Sequence, residues 1–74
     1  MPRHFNGRRL RQARKANGRS DAELAIALGK SVQLVHLVES GHRIPSVKVL
    51  DEWCQLLGVP IDFCFVEDDE PVSA

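Results

Sequence analysis

Residues 20–39 constrain the fold more than any other part of the chain. Ser20 is followed three residues later by Glu23, and such a pair forms a capping box that satisfies backbone N–H groups at a helix start. Gly29 follows the apolar run of that helix and favours the left-handed conformation that ends many helices. Ser31 can then cap a second helix. Only about three residues separate the two helices, which predicts an angled helix-turn-helix unit.

Further helices are predicted on both sides of this unit. Asn6 can cap a first helix that runs to about Asn17. Ser46 can cap a fourth helix over residues 47–57, where Val47, Leu50, Trp53 or Cys54, and Leu57 would face inward. A single large ring such as Trp53 is expected to anchor a core. Pro60 suits the start of a short fifth helix over residues 61–66.

The chain is therefore expected to form one domain with two short extensions. Residues 1–5 show no periodicity and are expected to be a flexible N-terminal arm. Residues 6–66 form the predicted helical domain, and residues 67–74 form an acidic tail that is expected to be disordered. A chain of 74 residues is close to the lower size at which one apolar core is sufficient.

The formal net charge is zero, but the charges are segregated along the sequence. Residues 1–19 carry seven basic side chains and no acidic one, whereas residues 51–74 carry seven acidic side chains and no basic one. Such asymmetry favours a polyanion as the partner of the basic half. The alternative interpretation is that these are solvated helix faces with no partner.

Several other classes of protein are not supported by the sequence. No apolar run approaches the ~18 residues of a membrane span, and the polar opening of the chain does not match a secretory signal. Cys54 and Cys64 are expected to be small apolar side chains in a reducing, cytoplasmic protein. Neither the short ligand spacing of a zinc site nor a phosphate-loop or nucleophile motif occurs. We therefore expect no metal, no cofactor, no membrane contact and no enzyme activity.

The motifs taken together resemble the phage-repressor and Cro-like, or Xre-like, helix-turn-helix family. The matching positions are residues 20–25, residues 28–31, Val35, Val38, Glu39, Gly41, Arg43, Pro45, Ser46 and residues 57–59. The resemblance covers roughly residues 6–66 and implies an all-α, five-helix, lambda-repressor-like domain of bacterial, phage or mobile-element origin. It also implies a partly buried ion pair between Arg14 in the first helix and Glu39 at the end of the third.

The resemblance implies that the third helix enters the major groove of double-stranded DNA. The residues expected to read bases are Val32, Gln33, His36 and Leu37. Gln33 could bind adenine through two hydrogen bonds, and His36 could donate to a guanine acceptor or to a phosphate. The residues expected to contact the DNA backbone are Arg8, Arg9, Arg11, Lys30, Ser31 and Arg43. The implied function is that of a sequence-specific, repressor-type transcriptional regulator.

The family often builds its dimer from the region of the fifth helix, which implies a homodimer interface formed by Phe63, Phe65 and Val66. A different hypothesis also remains open. The third helix has no outward arginine or lysine, and Asp21 stands where the family usually places a glutamine against a phosphate. These departures favour a protein-interaction module, such as an inhibitor or antirepressor, that binds a protein partner through its third or fifth helix.

Overall fold

The computed structural model describes residues 3–67. This segment contains four α-helices and a short antiparallel sheet whose two strands lie before the first helix and after the last. The helices are α1 (Gly7–Ala16), α2 (Asp21–Leu28), α3 (Val32–Glu39) and α4 (Val47–Leu57). Strand β1 (Arg3–Phe5) precedes α1, whereas a 3-10 turn (Ile61–Cys64) and strand β2 (Phe65–Glu67) follow α4. The helix-turn-helix predicted over residues 20–39 is confirmed by α2 and α3.

The helix starts lie where the sequence places the capping residues. The Ser20 hydroxyl accepts a hydrogen bond from the backbone N–H of Glu23 at 3.1 Å. The Glu23 carboxylate accepts from the backbone N–H of Ser20 at 2.9 Å, which completes the predicted capping box. Accepting this hydrogen bond lowers the pKa of Glu23, because the bond favours the ionised carboxylate. The other three helices have simple caps, in which one side chain accepts a hydrogen bond from one backbone N–H near the helix start; these side chains are Asn6, Ser31 and Ser46.

The core lies where the inner faces of the four helices meet. Its buried apolar residues are Leu10, Ala13, Leu24, Ala25, Val35, Val38, Leu50, Trp53, Cys54, Leu57 and Cys64. Trp53 has no exposed surface, which confirms the predicted core anchor. Burying each large apolar side chain contributes about 1.5–3 kcal/mol. The inward position predicted for Val47 is wrong, since this first residue of α4 is 75% exposed.

A close approach between α1 and α3 depends on Gly7. A Cβ atom at this position would overlap the backbone carbonyl oxygen of Val38. Gly7 is buried although it is the first residue of α1. The absence of a side chain therefore lets the start of α1 pack directly on the last turn of α3.

The predicted fifth helix is wrong, and the domain is not all-α. Residues 61–64 form one 3-10 turn, after which β2 pairs with β1 in the register Arg3↔Glu67, His4↔Val66 and Phe5↔Phe65. The segment is too short to offset the cost of helix nucleation on its own. Its aromatic and β-branched residues instead suit a strand, because residues 3–5 supply a backbone partner.

The expected flexible arm is therefore wrong for residues 3–5. The Arg3 guanidinium donates to the backbone carbonyls of Asp62 and Phe65 at 3.0 and 2.9 Å. The rings of Phe5 and Phe65 meet edge to face with centroids 6.0 Å apart. Glu67, assigned to the acidic tail, belongs to β2. Met1, Pro2 and tail residues 68–74 lie outside the described residues.

Candidate nucleic-acid interface

The turn between α2 and α3 fixes how α3 is presented. Gly29 has a φ of 68°, and the backbone N–H of Lys30 donates to the carbonyl of Ala25 at 2.9 Å. The Ser31 hydroxyl then accepts from the backbone N–H of Leu34 at 3.1 Å. Both ends of the turn are thus held by hydrogen bonds, which stabilise the change of direction between the two helices.

The inner and outer faces of α3 are clearly separated. Val35 and Val38 have no exposed surface, and their spacing of three residues places them on one inner stripe of the helix. On the opposite side Gln33 and His36 are exposed, and Val32 is 37% exposed. Three of the four candidate base-reading side chains are therefore accessible, whereas the fourth, Leu37, is half-buried.

Cationic side chains lie near both ends of α3. Lys30 directly precedes the helix and Arg43 follows it, and both are exposed. Arg11 lines a surface depression together with Ser40 at the end of α3. Arg8 lines a second depression, which also contains Ser40. Four positive charges therefore lie near the two ends of α3.

Arg9 makes contacts within the protein instead. Its guanidinium carbon lies 5.4 Å from the centroid of the Phe63 ring, and Nη1 donates to the Phe63 backbone carbonyl at 3.3 Å. The side chain is half-buried. Arg9 therefore joins α1 to the 3-10 turn, and its guanidinium is engaged within the protein rather than directed at DNA.

The ion pair implied by the family resemblance is present. Arg14 Nε donates to Glu39 Oε2 at 2.8 Å, and Arg14 Nη2 donates to Glu39 Oε1 at 3.1 Å. Arg14 is 9% exposed and Glu39 is 6% exposed. The hydrogen bond to Glu39 raises the pKa of Arg14. The pair fixes the end of α3 on α1 and so determines where the exposed face of α3 lies.

A second side-chain contact joins α2 to the exposed face of α3. His36 Nε2 lies 2.8 Å from Asp21 Oδ2, and Asp21 Oδ1 accepts from the backbone N–H of Ala22 at 2.7 Å. The sequence pattern indicates each residue separately but not their contact. They are 15 positions apart in the sequence, so only the crossing of α2 and α3 brings them together.

The structure describes no metal centre or membrane span within residues 3–67. No group of three potential metal-ligating side chains occurs there, and no helix is long and apolar enough to cross a bilayer. The Sγ atoms of Cys54 and Cys64 lie 3.3 Å apart in the core. Burial raises the pKa of the Cys64 thiol to about 12 and also raises that of Cys54. Both side chains are therefore protonated at neutral pH and pack as small apolar groups.

Helices α2 and α3 are short and are joined by a fixed turn. The outer face of α3 is exposed, and a buried ion pair anchors the end of this helix. These features define a helix-turn-helix domain. The chain belongs to the Xre-like helix-turn-helix family HTH_3, whose model matches residues 10–64. Members of this family are DNA-binding transcriptional regulators rather than enzymes.

Individual relatives agree with this assignment. The Bacillus subtilis protein YazB, described as an uncharacterised HTH-type transcriptional regulator, is 36% identical over 56 residues, covering 76% of this chain and 81% of that protein. The restriction-modification controller protein C.AhdI from Aeromonas hydrophila has a TM-score of 0.73 at 32% identity, covering 80% of this chain and 89% of that chain.

This chain is also similar to the biofilm regulator SinR from Bacillus subtilis, which has structures in complex with two different partners. The SinR complex with DNA has a TM-score of 0.69 at 30% identity, covering 74% of this chain and 89% of that chain. The SinR complex with SinI has a TM-score of 0.77 at 28% identity, covering 92% of this chain and 67% of that chain.

Proposed function

We propose that this chain is a cytoplasmic, sequence-specific DNA-binding regulator of the repressor type, which binds an operator with α3 in the major groove. The observation that carries the proposal is the exposed outer face of α3, held in place by the Arg14–Glu39 pair. The similar protein SinR has a structure in complex with DNA, which supports a nucleic-acid partner for this surface.

The exposed side chains suit a division between reading bases and holding the backbone. Gln33 presents an amide that can bind adenine through two hydrogen bonds, and Val32 can contact a thymine methyl group. The cations near the ends of α3 would bind phosphates, as would the Ser31 region at its start. Phosphate contacts position a protein on the duplex, whereas base contacts give sequence preference.

A homodimer is part of the proposal, because two copies of α3 would then reach half-sites about 34 Å apart. The structure changes the surface available for that dimer. Val66 is only 4% exposed, since it is the inward residue of β2, so its expected place at the interface is wrong. Phe63 and Phe65 are half-buried and keep part of their rings accessible. A monomeric mass in light scattering at tens of micromolar protein would overturn the dimer.

One feature of α3 favours a second candidate function. The helix carries no arginine or lysine, and the exposed Val32 with the half-buried Leu37 makes its outer face partly apolar. The same fold could therefore bind a protein partner in place of DNA, as an inhibitor or antirepressor would. Under this alternative, the protein would not distinguish one duplex from another.

Random-sequence selection with the purified protein, followed by fluorescence anisotropy against a scrambled duplex, tests the proposal. We expect salt-sensitive binding that prefers the selected duplex. The double substitution Gln33→Ala and His36→Ala should abolish that preference, while Gln55→Ala on the exposed side of α4 should keep it. If no selected sequence binds better than the scrambled duplex, the DNA proposal fails and the protein-binding alternative is favoured.

A further inference from the structure

A groove beside β1 joins the start of the domain to the end of α3. One wall of this groove is formed by residues 4–8, and the other is formed by Ser40 and Gly41, which directly follow α3. Arg8 is exposed in the groove, and Arg11 lines the neighbouring depression, which also contains Ser40. The groove is therefore part of a cationic surface next to the helix that is proposed to enter DNA.

Two of the cations at this surface are not compensated by the described part of the chain. The side chains of Arg8 and Arg11 form no hydrogen bond or ion pair within residues 3–67. Arg14, in contrast, is neutralised by Glu39. Because residues three apart on a helix are neighbours, Arg8 and Arg11 repel each other, and an anion that binds both relieves this repulsion.

An acidic segment begins close to the groove. Strand β2 ends at Glu67, which lies opposite Arg3 in the register, and the Cα atoms of such a pair are about 5 Å apart. The next three residues lie beyond the described part of the chain, and all are acidic: Asp68, Asp69 and Glu70. The path from Arg3 to Arg8 spans at most about 18 Å, whereas residues 68–74 span up to about 25 Å when extended. The chain after β2 is therefore long enough to reach the groove.

The acidic segment is similar to one strand of DNA in its charge density. An extended chain rises about 3.4 Å per residue, so consecutive acidic residues supply one negative charge in each such interval. One strand of B-DNA carries one phosphate for each interval of about 3.4 Å along the helix axis. Because the segment is tethered to the domain, its effective concentration at the groove is on the order of millimolar. Weak ion pairs are sufficient for partial occupancy at such a concentration.

We propose that residues 68–70 occupy the cationic groove in the DNA-free protein and compete with DNA phosphates for Arg8 and Arg11. The contact is autoinhibitory, since DNA must displace the acidic segment before these cations can bind the DNA backbone. The inference rests on the proposed DNA-binding function. Because phosphate contacts carry no sequence information, the competition lowers the affinity for every duplex by the same factor and leaves base preference unchanged.

The first test compares two pairs of neutralising substitutions in the full chain. Asp69→Asn with Glu70→Gln removes two charges from the acidic segment. Asp51→Asn with Glu52→Gln removes the same two kinds of group from the exposed side of α4. This second pair is the matched control, because Glu52 lines a different depression beside α2. Fluorescence anisotropy measures the affinities for the selected and scrambled duplexes over a range of salt concentrations.

We expect the variant with both Asp69→Asn and Glu70→Gln to bind both duplexes roughly fivefold more tightly at low salt, because a tethered competitor is weakened. The control variant should change both affinities less than about twofold, since salt screens distant exposed charges. The slope of log affinity against log salt should become steeper by up to about 0.9 for each cation that the segment no longer covers. In an Arg8→Gln background the same two substitutions should produce little gain, since their effects are coupled.

A second measurement tests the contact in the absence of DNA. The NMR shifts of backbone amides in residues 4–8 and in Ser40 and Gly41 are compared between the unmodified protein and the variant with Asp69→Asn and Glu70→Gln. We expect these amides to differ between the two proteins at low salt and to converge at high salt, while the amides of α2 stay unchanged. The differences should not depend on protein concentration, because the segment and the groove belong to one chain.

The outcomes separate this inference from the DNA proposal. An equal gain in affinity in the control variant, or a gain that persists with Arg8→Gln, would overturn docking in the groove and leave the regulator intact. Unchanged groove amides would do the same. Differences that grow with protein concentration would assign the groove to the acidic segment of a second copy and overturn the contact within one chain. If the unmodified protein prefers no selected duplex, the DNA proposal and the autoinhibition both fail, and the amide shifts still decide whether residues 68–70 bind the groove.

Discussion

Arg14 and Glu39 lie 25 positions apart in the chain and share two hydrogen bonds. Arg14 Nη1 also donates to the backbone carbonyl of Arg19 at 3.0 Å. One guanidinium therefore holds both the end of α3 and the segment that leads into α2. Because both partners are nearly buried, neither can recover its hydration if the other is removed.

Replacing Glu39 with Gln is expected to lower the free energy of unfolding by about 3 kcal/mol, the usual cost of leaving one buried charge without its partner. Urea unfolding followed by the fluorescence of Trp53 measures the change, since the chain has one tryptophan. Glu52→Gln on the exposed side of α4 is the control. Equal stabilities for the two variants would show that the pair contributes little.

Replacing Gly7 with Ala should destabilise the domain by about 1–3 kcal/mol, as expected where an added methyl group has no room. The new Cβ would meet the carbonyl oxygen of Val38, and backbone cannot move aside as a flexible side chain can. Gln12→Ala, exposed in the same helix, should unfold near the midpoint of the unmodified protein. An unchanged urea midpoint for the Gly7 variant would contradict the close packing of α1 on α3.

The capping box should make stability depend on pH in the acid range. Because the folded state lowers the pKa of Glu23 below its ordinary value of 4.5, its contribution is present above that value and is lost as the pH falls through the lowered pKa. Glu23→Gln should therefore differ more from the unmodified protein at neutral pH than at about pH 3. The urea midpoints of both proteins at the two pH values measure this difference. The same difference at both pH values would show that the ionised Glu23 carboxylate does not stabilise the helix start.

The core thiols should be protected from chemical modification, and their deprotonation at high pH should destabilise the folded state. The folded state raises the pKa of Cys64 from 9.0 to about 12, so its stabilising contribution is complete below pH 9.0 and is lost as the pH rises toward 12. At pH 8, a disulfide reagent that absorbs on reaction with thiolates should modify the native protein far more slowly than the urea-unfolded chain. Equal rates would show that the cysteines are accessible in the native state.

Substitutions of a proposed phosphate-contacting residue and of a proposed base-contacting residue should affect DNA binding in different ways. Arg43→Ala should weaken binding to all duplexes equally and reduce the slope of log affinity against log salt by about 0.9, the value for one phosphate. Gln33→Ala should instead cost about 1–3 kcal/mol at one base pair. Anisotropy titrations over a range of salt concentrations distinguish these outcomes. A change in base preference with Arg43→Ala would reverse its assigned role.

Much of the helical part of the fold could be predicted from local sequence. Ser20 and Glu23 define the start of α2, and Gly29 defines its end, because capping depends on residues within one turn of each other. The inward positions of Val35 and Val38 follow from the period of the helix alone. The prediction of the Arg14–Glu39 ion pair came from the family resemblance, because no local sequence pattern indicates a contact between two residues on different helices.

Only the tertiary structure determined that residues 3–5 pair with residues 65–67. It also determined which side chain from α2 contacts the exposed face of α3. The segment around Phe65 became a strand because Phe5 and its neighbours lie beside it, and that pairing also buried Val66. Asp21 and His36 likewise meet only because α2 crosses α3. The sequence by itself determined helix boundaries and inner faces, which depend on short-range hydrogen bonds and periodicity. The sheet and the Asp21–His36 contact depend on which distant segments become neighbours, and this is decided when the core packs.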